Sequence, residues 1–245
     1  MKIEYVGICD KGSVRECNQD AIFMQTIGDS GLFAVADGMG GHARGELASQ
    51  EIIIHISNWW KQFTPERFDF DFQKMMKSLG QTIEYANEMI YEKYNQSQVC
   101  GTTIVLIFIH RQYYGIIYAG DSRCYGYNKW KVRQLTIDEV WENQIGLRKE
   151  DRQNKNHPNY GKLVNAIGTK KATYYKTITD EMHQDNVFLL CSDGLYRYCE
   201  ENYLKKCLRK CKNNNMEPIS QALMQRVYQN GARDNISEIL IRYNK

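Results

Sequence analysis

The sequence predicts an α+β fold: a central antiparallel β-sandwich with helix pairs on its outer faces. Three observations predict it. Short apolar strands recur along most of the chain, helical periodicity is confined to two separate pairs, and those pairs are not interleaved strand by strand as a βαβ parallel sheet would require. Residues 2–9 and 21–27 are short apolar stretches around a polar turn, and 32–36 is a third, ending at Asp37-Gly38. Ala48, Ile52, Ile56, Trp59 and Phe63 then recur at spacings of four, four, three and four, up to Pro65. Phe72, Met76, Leu79, Ile83, Ala86 and Ile90 continue at four, three, four, three and four. These are two amphipathic helices with a short connection, hence an antiparallel pair whose Trp and Met stripe packs into a core. Residues 102–110, 113–119, 123–127 and 131–135 read as a meander separated by turn residues. The stretch 139–162 is polar and irregular, and a structureless connection of that length is usually functional. Strands at 173–178 and 187–191 follow. Leu204, Cys207, Leu208 and Cys211 form one helix face, and Ile219, Ala222, Leu223 and Val227 another, with Pro218 near its start and Gly231 past its end. Residues 236–241 are the final strand.

Composition narrows the function classes. The 245 residues carry 32 Lys+Arg against 29 Asp+Glu, a net charge of +3, which favours neither nucleic acid nor an anionic membrane surface. With 42% hydrophobic and 25% charged residues the chain is globular. Its longest purely apolar run, 104–109, falls far short of the roughly 18 residues that cross a bilayer. MKIEYVGICD has no apolar core of signal-peptide length, so a cytoplasmic location is expected. Eight cysteines include no CxxC pair, which excludes the usual zinc and thioredoxin patterns and predicts reduced, buried thiols.

One pattern carries chemistry. Apolar strands run into a carboxylate followed by a small or turn-forming residue in LFAVADG (Asp37), IIYAGDS (Asp121) and FLLCSDG (Asp193). Asp234 in ARDN precedes the last strand, and Asp20 in RECNQD leads into an early one. A single Asp-Gly is an ordinary turn. Five such aspartates brought together would repel one another and require cations at neutral pH. Hard oxygen donors without His or Cys select Mg²⁺ or Mn²⁺ over zinc, and two such ions can aim an acidified water at phosphorus. Gly38 would let its carbonyl approach an ion closely.

The motifs RECNQD (15–20), VADGMGGHARGELAS (35–49), CGTTIVLIF (100–108), YAGDSRCY (118–125), LTIDEVW (135–141), NAIG (165–168), LLCSDGLY (189–196) and GARDNIS (231–237) follow one another in the order and spacing of a known family. On these residues the chain resembles the metal-dependent PP2C-type (PPM) protein serine/threonine phosphatases in their bacterial form, over essentially its whole length. The resemblance implies one domain over 1–245, with α-β-β-α layers and a mobile flap at about 139–165. It implies that Asp37 bridges two core ions, that the Gly38 carbonyl binds one, that Asp193 and Asp234 complete the other site, and that Asp20 holds a metal-bound water. Asp121 with Asp193 would form a weaker third site, Arg15 would clamp the substrate phosphate, and Asn235 would support the site through hydrogen bonds. The implied reaction is hydrolysis of phosphoserine and phosphothreonine in proteins by direct attack of a metal-activated water, without a phosphoenzyme. The implied partners are phosphoproteins and a Ser/Thr protein kinase, with the chain a monomer.

Three residues depart from the family pattern. Gln19 stands where Glu is common, Met39 where many eukaryotic relatives have His, and Glu139 where the bacterial LT-x-D-H segment has His; His42 is a weak alternative proton donor. A rival lies in the same strand: Cys191 to Arg197 reads C-x₂-G-x₂-R, like the phosphate loop of cysteine-dependent phosphatases. Its flanks, Leu190 and Tyr198, do not match, and Asp193 would place a carboxylate in an anion cradle. A degenerate, phosphoprotein-binding member of the fold is a second alternative. The basic run 205–212 is interleaved with apolar residues and reads as a solvated helix face, not a nucleic-acid site. GMGGHARGE lacks the Gly-Lys-Ser/Thr ending of a nucleotide loop.

Overall fold

A computed structural model describes residues 2–40, 44–64, 71–95, 98–128, 131–144, 146–182 and 186–244. In chain order these form β1 (Lys2–Asp10), β2 (Asp20–Ile27), β3 (Ser30–Met39), α1 (Arg44–Gln62), α2 (Phe72–Tyr94), β4 (Gly101–Thr102), β5 (Ile104–His110), β6 (Tyr113–Ala119), β7 (Arg123–Asn128) and β8 (Lys131–Gln134). A 3₁₀ turn (Trp141–Asn143), α3 (Lys149–Gln153), β9 (Lys176–Glu181), β10 (Asn186–Cys191), α4 (Asp193–Tyr196), α5 (Glu201–Cys211), α6 (Met216–Gln229) and β11 (Ile236–Asn244) complete it. Among the described residues, one sheet has the order β1-β11-β10-β7-β8 and the other β2-β3-β5-β6-β9, with β4 pairing the end of β3. Every pairing is antiparallel. Among the described residues no helix is long and apolar enough to cross a membrane.

The inner strands read as continuous apolar runs because both of their faces are covered. In β3, Leu32, Ala34 and Ala36 pack against α1 and α2, while Phe33 and Val35 face the other sheet. In β5, Ile104, Leu106 and Phe108 take the helix side, and Val105, Ile107 and Ile109 the inter-sheet side. Across the sandwich, Phe188, Leu190, Ile239 and Ile241 face inward, and Leu189, Cys191 and Leu240 pack against α5 and α6. Side chains that alternate along each strand thus fill three apolar layers, giving the predicted helix–sheet–sheet–helix order.

The helices follow their predicted stripes with one change. Ala48, Ile52 and Ile56 are buried, but Trp60 goes inward instead of Trp59. Trp59 stays at the boundary between the helices, where its indole N–H donates to Ser78 Oγ at 2.9 Å. Asp71 caps α2, accepting from the backbone N–H groups of Gln73 and Lys74, and Asn215 caps α6 through the N–H of Glu217. Pro65, the predicted stop of the first helix, lies outside the described residues. The strand expected at 173–178 runs instead over β9, three residues later. The Tyr174 carbonyl is taken by Asn165 Nδ2 at 2.9 Å, which holds residues before Lys176 out of the ladder. The stretch 139–162 is not structureless. Its neck is zipped by Trp141 N–H to Lys162 O and Val164 N–H to Glu139 O, and Trp141 stacks on His157 at 3.9 Å between ring centroids.

Ile107 is fully buried between the sheets. Ile107→Ala is expected to cost about 2–5 kcal/mol, read as a lower midpoint in urea with an unchanged slope. A loss under about 0.5 kcal/mol, ordinary for a surface site, would contradict the inter-sheet packing described here.

Candidate active site

All five aspartates singled out in the sequence lie at one end of the sandwich. Asp20 opens β2 and pairs in register with Asp37 near the end of β3. Asp121 sits in the β6–β7 connection, which crosses from one sheet to the other. Asp193 follows β10, and Asp234 precedes β11 on the neighbouring strand. The ladder register therefore dictates that five carboxylates, far apart in sequence, share one rim.

Backbone approaches and hydroxyls fix that rim. A side chain at Gly38 would clash with the Gly45 carbonyl at the start of α1 and lie 2.6 Å from the Gln19 carbonyl, so this position near the end of β3 must be glycine. A side chain at Gly194 would run into the Asn235 carbonyl, so glycine there lets the Asp193 and Asp234 loops touch. The Asp37 carbonyl accepts from Thr102 Oγ1 at 3.0 Å and from the Thr103 N–H at 2.8 Å, and its own N–H donates to Thr103 Oγ1 at 3.1 Å. Ser192 Oγ donates to Asp20 Oδ2 at 2.8 Å and accepts from the Ser237 N–H at 2.9 Å, tying the two sheets together. Asn235 accepts from the Gln19 N–H at 2.9 Å and donates to the carbonyls of Lys11 and Cys17, joining the 11–19 loop to the start of β11.

The electrostatics are those of crowded carboxylates. Burial and the charges of Asp20, Asp193, Asp121 and Asp234 push the Asp37 carboxyl well above its ordinary range. Burial raises Asp20 to about 6, although the Ser192 and Ser237 hydroxyls and a hydrogen bond with Asp37 oppose it. Burial raises Asp193 to about 7 despite Arg197, with Asp121, Asp234 and Asp20 adding to the rise. Asp121, 6% exposed, is also raised by burial, and Arg197 opposes. Among the described residues, no three carboxylate, thiol or imidazole groups close on one point at ligating distance. The carboxylates meet instead through two guanidiniums. Arg15 Nη2 lies 2.9 Å from Asp234 Oδ2, and Arg197 Nη2 lies 3.0 Å from Asp193 Oδ2 and 3.5 Å from Asp121 Oδ2. The residues present fit hard divalent cations. All donors are oxygens, the charge is negative and mutually repelling, and buried Asp20 Oδ1 has no hydrogen-bond partner.

Several participants were not read from the sequence. Ser192, Ser237, Thr102 and Thr103 flank the aspartate motifs, and that adjacency was the available signal. Glu139 is 4% exposed and forms a hub. Its Oε2 accepts from the Gly120 N–H at 3.0 Å and from Asn165 Nδ2 at 2.6 Å, and its Oε1 pairs with Lys176 Nζ at 3.1 Å. The residue that departs from the family's His thus pins the turn before Asp121 to the end of the 139–165 segment. Gln19, the other polar departure, reaches toward the Gly40 carbonyl at 3.5 Å. His42 lies outside the described residues. The cysteine rival is not supported. Cys191 is fully buried, its thiol is pushed up by burial, and Arg197 is paired to carboxylates.

A family model described as Protein phosphatase 2C matches residues 12–241. The chain is 28% identical over 242 residues to the serine/threonine phosphatase stp of Listeria monocytogenes serotype 4b (strain F2365), covering 95% of this chain and 92% of that one. It resembles the structure of the S. agalactiae serine/threonine phosphatase with a TM-score of 0.86, at 24% identity and 100% coverage of both chains. It resembles the catalytic domain of the serine/threonine phosphatase PstP in complex with 2 manganese ions with a TM-score of 0.80, at 24% identity and 99% coverage of each.

The raised carboxyls make a pH prediction. A carboxyl whose folded pKa lies above its unfolded value stabilises the fold at low pH, and that contribution is lost as pH rises through the folded pKa. For Asp20 and Asp193 the window is pH 4 to 7. The metal-free protein should therefore melt on the order of 5–10 °C lower at pH 8 than at pH 5. Added Mn²⁺ should recover most of that difference at pH 8 and little at pH 5. Equal melting points at both pH values without metal would refute the crowding.

Proposed function

The chain belongs to the protein phosphatase 2C family, and from that premise we propose how its own residues hydrolyse phosphoserine and phosphothreonine esters in proteins. It is a metal-dependent protein serine/threonine phosphatase. The observation that carries the assignment is the gathering of Asp20, Asp37, Asp121, Asp193 and Asp234 with Arg15 on one rim, where burial and neighbouring charge raise the Asp37 and Asp193 carboxyls.

In this reading one domain spans 1–245, and Asp37, the Gly38 carbonyl, Asp193 and Asp234 hold two Mn²⁺ or Mg²⁺ ions. What those ions supply, when bound, is a more acidic water and positive charge against the phosphoryl oxygens. Asp20, aligned by Ser192, offers its unpartnered Oδ1 to the nucleophilic water and orients it. Arg15 is half exposed and paired only at its tip with Asp234, so its planar fork can swing onto the substrate phosphate. Asn235 keeps the 11–19 loop, and so Arg15, in register with Asp234. The buried Cys191 takes no part, which is consistent with direct displacement and no phosphoenzyme. The segment 139–165, tied next to Asp121 through Glu139 and the Gly120 N–H, would select among phosphoproteins.

The substrates of such an enzyme are made by a Ser/Thr protein kinase, which is the partner this reading implies. This reading takes the chain as a cytoplasmic monomer.

Asp37→Ala and Asp193→Ala should each lower turnover of p-nitrophenyl phosphate by at least about a hundredfold, more than a change outside the ligand set typically costs. Circular dichroism should stay unchanged. Arg15→Ala should raise KM roughly tenfold or more, in line with the loss of a charge-assisted hydrogen bond, with a smaller effect on kcat. Near-normal rates in either aspartate variant, or a pure kcat effect at Arg15, would refute these roles.

A further inference from the structure

The rim holds a cation of its own. Arg197 stands four residues after Asp193, so one helical turn carries its side chain back over that carboxylate, and its N–H bonds to the Asp193 carbonyl at 3.0 Å. From there Nη2 reaches both Asp193 Oδ2 at 3.0 Å and Asp121 Oδ2 at 3.5 Å. Tyr196, the preceding residue, directs its hydroxyl to the same aspartate, at 3.1 Å from the Asp121 carbonyl and 3.4 Å from Oδ2. Tyr196 is in turn held under the Arg123 guanidinium, 3.5 Å from its ring centroid. Asp138 grips Arg123, with its Oδ2 2.7 Å from Nη2. Asp121 is therefore addressed by an ordered tyrosine–arginine pair. In contrast, buried Asp20 Oδ1 has no hydrogen-bond partner.

We propose that Arg197 is the resident cation of the Asp121–Asp193 pair, so that this chain works with two divalent ions and admits a third only by displacing a guanidinium. The inference rests on the phosphatase reading above and refines its metal count. A guanidinium is charged at every accessible pH and fits carboxylate oxygens through fixed N–H donors, so it neutralises the pair permanently. Two divalent ions together with Arg15 and Arg197 already outweigh the five aspartates by one charge, and a third divalent ion would leave three positive charges unbalanced. The side chain is 49% exposed, so it can be truncated without opening the core.

The test counts ions by equilibrium dialysis of the full chain against Mn²⁺, with metal analysis and no substrate. The wild type should bind two Mn²⁺ per chain. Arg197→Ala should bind one more, with an affinity on the order of tenfold or more above any third binding in the wild type. Combining it with Asp121→Ala should return the count to two. Arg197→Gln, which keeps much of the length and removes the charge, should behave like Arg197→Ala and covers the case in which the alanine variant misfolds. A wild type that binds three ions and loses one on Asp121→Ala would overturn the proposal, as would a folded Arg197→Ala or Arg197→Gln that still binds two. A wild type that binds none would overturn the phosphatase reading itself, and the proposal with it.

Discussion

Carboxylates that cannot all be ionised side by side are the constraint on which this structure depends. Asp37 lies among four other aspartates, and burial first, then their charge, raises its carboxyl well above the usual range. Left to itself, such a rim takes up protons or recruits arginines, and two arginines lie on it here. Arg15 sits on Asp234, and Arg197 on Asp193 and Asp121. In the proposed reading the repulsion has a chemical use, because a divalent cation at the rim would be drawn in by charge the fold has already assembled.

The sandwich exists to hold that charge in register. Antiparallel pairing puts Asp20 opposite Asp37 and places the ends of β10 and β11 side by side, while the β6–β7 crossing delivers Asp121 between the sheets. Three apolar layers make the strands rigid, and glycines at 38 and 194 allow backbones to approach where any side chain would hold the loops apart. Ser192 locks the two sheets through Asp20, so packing in the core and positioning at the rim belong to one hydrogen-bonded system.

The strands and the aspartates were legible in the sequence because both are local signals: a run of apolar residues, then a carboxylate at a turn. What escaped depends on tertiary neighbours. Either of two consecutive tryptophans satisfies the helical stripe, and only Ser78 on the second helix decides that Trp59 stays at the boundary. The late start of β9 reflects Asn165 taking a carbonyl from a distant segment. Glu238, a charged residue inside the predicted last strand, is fully buried against Ser220 and pushed up to about 8 by burial. Arg197 first suggested a phosphate loop around Cys191. Its partner Asp121 lies 76 residues away, and nothing in the local spacing reveals it. Glu139 was noticed only as a departure from a family pattern, whereas its three side-chain contacts make it the anchor of the segment beside the site.

The central claim is that this rim is a cradle for divalent ions. Diffraction from crystals grown with Mn²⁺, recorded at the manganese absorption edge, tests it most directly. The account requires two anomalous peaks at the rim, one in contact with Asp37 and the Gly38 carbonyl and the other with Asp37, Asp193 and Asp234. Peaks confined to other parts of the molecule, or a rim still bridged only by its own arginines in saturating Mn²⁺, would contradict it.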